Sequence, residues 1–323
     1  MIALISLRST AGEAGRPKAL GKALLSGRSS QAVGYRLAAA YFIGKIGCLG
    51  PIPGDHSRRP RLDPILELVP DTAFSDTKPN QQPPHFTVVA EADDYAVVDK
   101  PPFLLVHPTK PDGPRTLWSE LRGLFAFELQ NGGQVSIVNR LDRETSGLVL
   151  IAKNAAAARR FGLLMQQNRI GKEYRALVWG WPGWDSILID KPLDRLGKHH
   201  ASAIWLKQGI VPGGAPAQTE FFVERRFERE DGKFSIIRAV PRTGRTHQIR
   251  VHLADAGYPI VGDKIYGPNE QFYLEFIETG WTPRLEAGLL LPRQALHSSK
   301  LSVPADGEWE SALPPDLAVF CRQ

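Results

Sequence analysis

The sequence contains little cysteine and no long apolar run. Its 323 residues include only Cys48 and Cys321, which are far apart and lack the spacing of metal ligands. A disulfide framework or a zinc site is therefore not expected, and a reducing cytoplasm is the predicted compartment. The best candidate for a membrane helix, residues 37–49, is interrupted by two glycines and a lysine. Since a membrane helix needs about 18 consecutive apolar residues, no membrane association is predicted.

An excess of positive charge is also absent from most of the chain. Of its 40 basic and 34 acidic side chains, seven basic and one acidic lie in residues 1–50, so 33 of each sign remain elsewhere. A nucleic-acid surface in the remainder must therefore come from local clusters of Lys and Arg, because bulk charge does not supply it.

Residues 1–82 lack the sustained periodicity of a folded domain. They are rich in Ser, Gly, Pro and Arg and end in a proline-rich stretch, residues 78–84, which is typical of a linker. We interpret residues 1–82 as a basic extension and residues 83–323 as one folded domain. The extension could be a disordered arm, a non-native sequence read from an upstream start codon, or an organellar transit peptide.

From Phe86 onward the sequence alternates between apolar runs and turn residues. The patterns predict helices over 116–128, 154–168 and 246–256, the last closed by Gly257. They predict strands near residues 86–90, 95–99, 136–138, 148–152, 174–179, 218–224, 234–240 and 300–303. Strands outnumber helices without alternating regularly with them, which favours an α+β fold with a large mixed sheet.

A dense polar segment, Asn139-Arg-Leu-Asp-Arg-Glu-Thr-Ser-Gly147, separates two of the most apolar strands. Loops on a rigid scaffold often carry function, so Asp142 is a candidate catalytic carboxylate. The residues alone are equally compatible with an ordinary hairpin connection whose turn is formed by residues 145–147.

Two further segments combine basic and polar side chains. Residues 241–253 contain Arg245, His247 and Arg250, and a helix beginning at Thr246 would offer its N-terminal amides to an anion. A solvated helix end is the alternative, and the five-residue spacing of the histidines does not fit a helical metal pair. The second segment, residues 172–175, surrounds Tyr174 with basic residues, which suits RNA, although strand tyrosines are often packing residues.

Together these segments resemble the RluA family of pseudouridine synthases, whose nucleophilic aspartate lies in Arg-Leu-Asp followed by Thr-Ser-Gly. Further matches follow in the family's order over roughly residues 86–304. They are Val98–Pro102, His107-Pro108, Lys172–Tyr174, Gly244–Arg250, Gly262–Gly267 and Leu296-His297. One position departs from the family, because Asn139 stands where His is usual. We expect this position to be a structural hydrogen-bonding site.

The resemblance implies a pseudouridine synthase catalytic domain over residues 83–323, with a large, mostly antiparallel sheet, flanking helices and a central active-site cleft. It implies isomerisation of uridine in ribosomal or transfer RNA by a cytoplasmic monomer, without an obligatory protein partner, cofactor or metal. By the same resemblance Asp142 acts either as a nucleophile on the ribose or as a general base at C2′, and Tyr174 stacks on the target base or helps to remove the proton from C5. Arg250 pairs with Asp142, and Arg140 fills the gap left by the flipped uridine.

Other contacts with RNA are expected within the matched segments. They involve Lys100, Arg143, Thr145, Lys172, Arg245 and His247. Ile249 and Leu148 are expected either to line a pocket for uracil or to pack in the core. Two rival functions are a nuclease or glycosidase-type hydrolase, which needs paired carboxylates or a metal, and a non-catalytic RNA-binding module.

Overall fold

The computed structural model describes residues 86–110 and 113–322, so the predicted extension 1–82 lies outside the described residues. Its elements are, in chain order, β1 (Thr87–Glu91), β2 (Tyr95–Lys100), α1 (Leu117–Leu124), α2 (Ala126–Gln130), β3 (Ser136–Ile137), β4 (Ser146–Ala152), α3 (Ala155–Gln166), β5 (Gly171–Trp179), β6 (Ser186–Asp190), β7 (Leu193–Arg195), β8 (Gln208–Ile210), β9 (Gln218–Arg229), β10 (Gly232–Pro241), α4 (Gln248–Asp255), α5 (Gln271–Thr279), α6 (Pro283–Leu289), β11 (Leu296–Val303), β12 (Gly307–Glu310) and α7 (Pro315–Phe320).

Ten of these strands form one sheet in the order β1-β2-β4-β11-β5-β10-β9-β6, with β3 added to β4 and β12 to β11. Strands β7 and β8 form a separate two-stranded ribbon. Within the described part of the chain, β4 and β11 pair in parallel and every other strand pairing is antiparallel. The α+β prediction with a large, mostly antiparallel sheet and flanking helices is therefore confirmed.

Strand β4 is buried on both faces, because packed layers cover both sides of the sheet centre. Leu148 and Leu150 pack with Phe161 of α3, whereas Val149 and Ile151 belong to the other core cluster. This alternation follows from the two-residue period of a strand. Leu148 is fully buried in the cluster that contains Phe161, so it is a core residue and lines no open pocket.

The predicted helix boundaries hold in part. Asn154 caps α3 by accepting a hydrogen bond from the backbone of Ala157, as its residue type suggests. The helix predicted over 116–128 is instead two helices, α1 and α2, separated at Phe125. The predicted start at Thr246 is wrong, because His247 has a left-handed backbone with φ 57° and α4 begins only at Gln248.

The end of α4 matches the prediction closely. Gly257, with φ 86°, follows the C-cap residue Ala256, which is the position where a glycine most often ends a helix. Across residues 86–110 and 113–322, no helix is both long and apolar enough to cross a membrane.

Candidate active site

The polar segment that contains Asp142 connects β3 to β4 in the middle of the sheet. At its start, the buried Asn139 amide donates to the carbonyl of Leu148 at 3.1 Å and accepts from the backbone of Leu150 at 2.7 Å. The side chain thus pairs with β4 as a backbone would. The expected structural role of Asn139 is confirmed by these two hydrogen bonds.

Lys100 binds this segment through the carbonyl of Arg143. Its side chain is fully buried, and its ammonium donates to the carbonyls of Pro101, Leu104 and Arg143 at 2.8, 3.1 and 3.2 Å. An ammonium has three hydrogens, so no donor is left for a phosphate. The expected contact of Lys100 with RNA does not fit this geometry, and the burial lowers its pKa to about 7.

The segment ends at Gly147, where β4 pairs with β11. Gly147 has φ 112°, and a side-chain carbon at this position would lie 2.3 Å from the carbonyl oxygen of Ser298. Only glycine combines this backbone with this close approach. Behind it, Ser146 and the buried His297 are hydrogen-bonded at 3.0 Å, so the end of the segment is fixed to the neighbouring strand.

Asp142 presents its two carboxylate oxygens to different surroundings. Its Oδ2 accepts hydrogen bonds from NH1 of Arg250 at 2.8 Å and from Nε2 of Gln294 at 3.2 Å. Among the residues that the structure describes, none donates a hydrogen bond to Oδ1. The side chain is 33% exposed, and we infer that Oδ1 is the oxygen that meets an incoming molecule.

The protonation state of Asp142 results from two opposing effects. Burial is the largest single effect and would raise the pKa of the carboxyl, but the lowering effects of Arg250, His247 and Gln294 together outweigh it. The net pKa lies below the usual range for aspartate. Asp142 is therefore ionised at neutral pH, as a nucleophile or a general base must be.

Arg250 is itself held by a second carboxylate. Its Nε and NH2 donate to the two oxygens of Asp263 at 2.7 and 2.9 Å, a bidentate geometry that fixes the plane of the guanidinium. Asp263 is fully buried, and its Oδ1 also accepts from the backbone of Ile265 and of Tyr266, each at 3.0 Å. This support aims the remaining nitrogen, NH1, at Asp142.

His247 is close to Asp142 but does not bond to it. Its Nε2 lies 3.9 Å from Oδ2 of Asp142, beyond hydrogen-bonding distance. The hydroxyl of Tyr266 accepts from the backbone of Gln208 and lies 2.8 Å from Nδ1 of His247, so this hydrogen bond holds the orientation of the imidazole. Burial, reinforced by Arg250, lowers the pKa of His247 to about 4, and the imidazole is neutral at physiological pH.

Tyr174 lies on β5 opposite Ser298 of β11, which in turn is level with Gly147 of β4. The ring is buried in the same core cluster as Ile249 and Leu141. Burial raises the pKa of the hydroxyl to about 12, and the charge of Asp142 contributes in the same direction. Tyr174 is thus neutral and a poor base, which favours the stacking role expected from the sequence.

The remaining predicted residues differ in their exposure and in their contacts. Thr145 is buried and accepts from Nε2 of Gln294 at 2.7 Å, while Arg140 is exposed. Arg143 and Arg245 are also exposed, and each donates one hydrogen bond to a backbone carbonyl. Lys172 is partly buried, which lowers its pKa.

Three contacts of the site were not anticipated from the sequence. Asp263 lies in a matched segment but was given no role, and Gln294 lies outside the matched segments altogether. Glu144 turns to Lys264, whose ammonium lies 2.8 Å from its Oε1, and its Oε2 accepts from the backbone of Gln294. Both oxygens of Glu144 are therefore occupied, so Glu144 does not form the paired carboxylates that a hydrolase would need.

Metal ligation finds no support in the described ranges. Within residues 86–110 and 113–322, no group of three or more His, Cys, Asp or Glu side chains is arranged to hold a metal ion.

Comparisons with known sequences show which family the chain belongs to. A family profile described as RNA pseudouridylate synthase matches residues 94–255. An uncharacterised RNA pseudouridine synthase of Chloroflexus aurantiacus is 38% identical over 233 residues, covering 70% of this chain and 65% of that protein. A ribosomal large subunit pseudouridine synthase D of Nitrosomonas europaea is 34% identical over 241 residues, covering 73% of this chain and 64% of that protein. The chain thus spans just under two thirds of the length of these two relatives.

A solved structure shows the same fold. The human RNA pseudouridylate synthase domain containing 1 is 26% identical and superposes with a TM-score of 0.54, covering 73% of this chain and 89% of that one.

Proposed function

This chain belongs to the RNA pseudouridylate synthase family, and we propose that it isomerises uridine to pseudouridine in a structured RNA. The observation that carries the proposal is the state of Asp142. The carboxylate is ionised, its Oδ2 is held by Arg250 and Gln294, and its Oδ1 is free to react.

The reaction breaks the bond between C1′ of the ribose and N1 of uracil and forms a bond between C1′ and C5. C5 loses a proton and N1 gains one, so the atoms balance without a redox step. Asp142 can act in two ways, either by attacking C1′ as a nucleophile or by taking the proton from C2′ as a general base. Both routes use the same ionised oxygen, and the site accommodates either.

The target uridine must leave the RNA stack to reach Asp142, which costs a few kcal/mol. In our proposal the exposed Arg140 fills the gap in the stack, and Tyr174 stacks on the extruded base. Ile249, which is nearly buried beside Tyr174, forms the apolar floor under the uracil. Arg143, Lys172 and Arg245 contact phosphates, which compensates for the neutral balance of the folded domain.

The substrate that we propose is ribosomal RNA, because several relatives carry the name ribosomal large subunit pseudouridine synthase D. We further propose that the enzyme acts as a cytoplasmic monomer and that residues 83–323 form a pseudouridine synthase catalytic domain. Pseudouridine mapping in total RNA of a deletion strain identifies the target, and loss of a site in transfer RNA alone would contradict the ribosomal assignment.

The activity is tested with RNA that carries tritium at C5 of uridine, since isomerisation releases this tritium to water. Wild-type protein should release tritium, whereas Asp142→Asn should release none and should still bind the RNA. Asp185→Asn is the matched control, because Asp185 is 91% exposed and its substitution should leave release unchanged.

Two outcomes would contradict the proposal. Cleavage of the RNA, or a requirement for a divalent ion, would indicate a hydrolase. Tight RNA binding by the wild type without any tritium release from ribosomal or transfer RNA would indicate a non-catalytic binding protein.

A further inference from the structure

We propose that Gln294 is a positioning residue that selects which oxygen of Asp142 reacts. It lies two residues before β11, is almost fully buried, and donates from Nε2 to Oδ2 of Asp142. The inference rests on the proposed isomerase function, and it assigns a role to a residue outside the segments that resemble the family.

The first argument is geometric. A carboxylate rotates with little preference about its terminal torsion, so a single donor does not keep its two oxygens distinct. Here two donors reach the same oxygen from different parts of the chain, NH1 of Arg250 from α4 and Nε2 of Gln294 from the segment before β11. Together they fix the plane of the carboxylate and keep Oδ1 toward the open side.

The second argument concerns the orientation of the amide. Nε2 has two hydrogens, and the second one goes to Oγ1 of Thr145 at 2.7 Å. A flipped amide would place Oε1 against the carboxylate of Asp142, where two acceptors repel each other. This repulsion ensures that Gln294 meets Asp142 as a donor, and the hydroxyl of Thr145 accepts the second hydrogen of Nε2.

The third argument concerns the backbone of Gln294. Its N–H donates to Oε2 of Glu144, whose other oxygen is bound by Lys264. Its carbonyl accepts from the backbone of Leu296 at 2.8 Å. The donor is thus attached at both ends to fixed groups, which is what positioning within a fraction of an ångström requires.

A purely structural role, in which Gln294 only ties Thr145 to β11, is the alternative. The two roles are separated by Gln294→Met, which keeps the volume but removes both donors, and by Thr145→Val, which removes only the bond between Gln294 and Thr145. For Gln294→Met we expect kcat to fall about 10- to 100-fold, KM to change less than about threefold, and the acidic limb of kcat to move to higher pH. For Thr145→Val the limb should stay at its wild-type position.

A charged variant adds a signature that a structural role does not produce. Gln294→Glu places a second carboxylate beside Asp142 when ionised, but it regains a donor when protonated. Its kcat should therefore recover partly as the pH is lowered. Gln248→Met is the matched control for general destabilisation, because Gln248 is equally buried and makes several hydrogen bonds, none of them to Asp142.

The decisive measurement follows the carboxyl carbon of Asp142 by NMR in protein with ¹³C-labelled aspartate, with Asp142→Asn to assign the signal. The titration midpoint should move to higher pH in Gln294→Met and stay unchanged in Gln248→Met. An unchanged midpoint in Gln294→Met overturns the inference whether or not the protein is an isomerase. If instead the wild type releases no tritium, the proposed function fails, and the midpoint still reports on Gln294.

Discussion

NH1 of Arg250 lies 2.8 Å from Oδ2 of Asp142, although the two residues are 108 positions apart in the chain. Helix α4 delivers the guanidinium, and the segment before β4 delivers the carboxylate. The same guanidinium is held from its other edge by the buried carboxylate of Asp263. The charge that keeps Asp142 ionised is therefore itself fixed by a residue that does not touch Asp142.

The first prediction concerns this support. Asp263→Asn removes one charged acceptor and leaves the buried Arg250 only partly paired, which should cost about 3 kcal/mol of unfolding free energy. It should also lower kcat at least about tenfold, because NH1 loses its aim at Asp142. Urea unfolding and tritium release measure the two effects.

Asp255→Asn is the control for this prediction. Asp255 pairs with Lys191 at the surface, so its substitution should cost no more than about 1 kcal/mol. Equal losses of stability in the two variants would show that the buried pair does not support the site.

The second prediction concerns pH. The pKa of Asp142 is lowered and that of His247 is about 4, so the acidic limb of kcat should lie below the usual range for aspartate and no histidine limb should occur near 6.5. In Arg250→Met, burial loses the strongest of the groups that oppose it, and the limb should move to higher pH. A wild-type limb near 6.5 would contradict the neutral state of His247.

Stability should depend on pH in the same direction. The unfolded chain binds a proton at His247 from pH 6.5 downward, whereas the folded protein does so only near pH 4. The unfolding free energy should therefore fall as the pH decreases through this window. Asp142 and Asp263, whose folded pKa values are also lowered, add to the loss at still lower pH. His247→Gln should reduce the dependence between pH 6.5 and 4, while His107, His252 and His297, whose pKa values are also lowered, retain part of it.

Much of the fold followed from local patterns, because strands and caps depend on nearby residues. Strand β4 and the cap at Asn154 are such cases. The start of α4 was misplaced because the left-handed backbone of His247, which histidine adopts only occasionally, cannot be read from the apolar spacing of residues 246–256. The helices α5, α6 and α7 and the short strands β6, β7, β8 and β12 were not predicted.

The residues of the site likewise fall into those that the sequence identifies and those that only the folded chain brings together. Asp142, Tyr174 and Arg250 lie in recognisable segments, so they were identified. Lys100 looked like a surface cation, because the sequence does not show that three carbonyls would enclose it. Gln294 is one glutamine among several, and only the folded chain brings it to Asp142.

The third prediction separates the two roles of Tyr174. Because burial raises its pKa to about 12, we expect stacking to matter more than proton transfer. Tyr174→Phe should retain clearly more activity than Tyr174→Leu, since base stacking on an aromatic ring contributes about 1–3 kcal/mol. Single-turnover tritium release measures the difference, and equal loss in both variants would indicate that the hydroxyl is required.

The last prediction compares alanine substitutions at two glycines, Gly147 at the end of the Asp142 segment and Gly162 within α3. Gly147→Ala should lower the unfolding free energy by about 2 kcal/mol or more, because the new methyl would lie 2.3 Å from the carbonyl oxygen of Ser298 and the backbone at φ 112° is unfavourable for alanine. Gly162→Ala, in the middle of α3 with no atom within 4 Å of the new methyl, should instead stabilise the protein by up to about 1 kcal/mol. Urea unfolding compares the two variants directly.

The change in kcat should depend on where the substituted glycine lies, because both variants carry the same change from glycine to alanine. Gly147 is five residues from Asp142, and shifting β4 away from β11 would move the carboxylate relative to Arg250 and Gln294. We therefore expect Gly147→Ala to lose at least about tenfold in kcat under conditions where it is still folded, whereas Gly162→Ala keeps wild-type kcat. A folded Gly147→Ala protein with full activity would show that the contact between β4 and β11 does not set the geometry of Asp142.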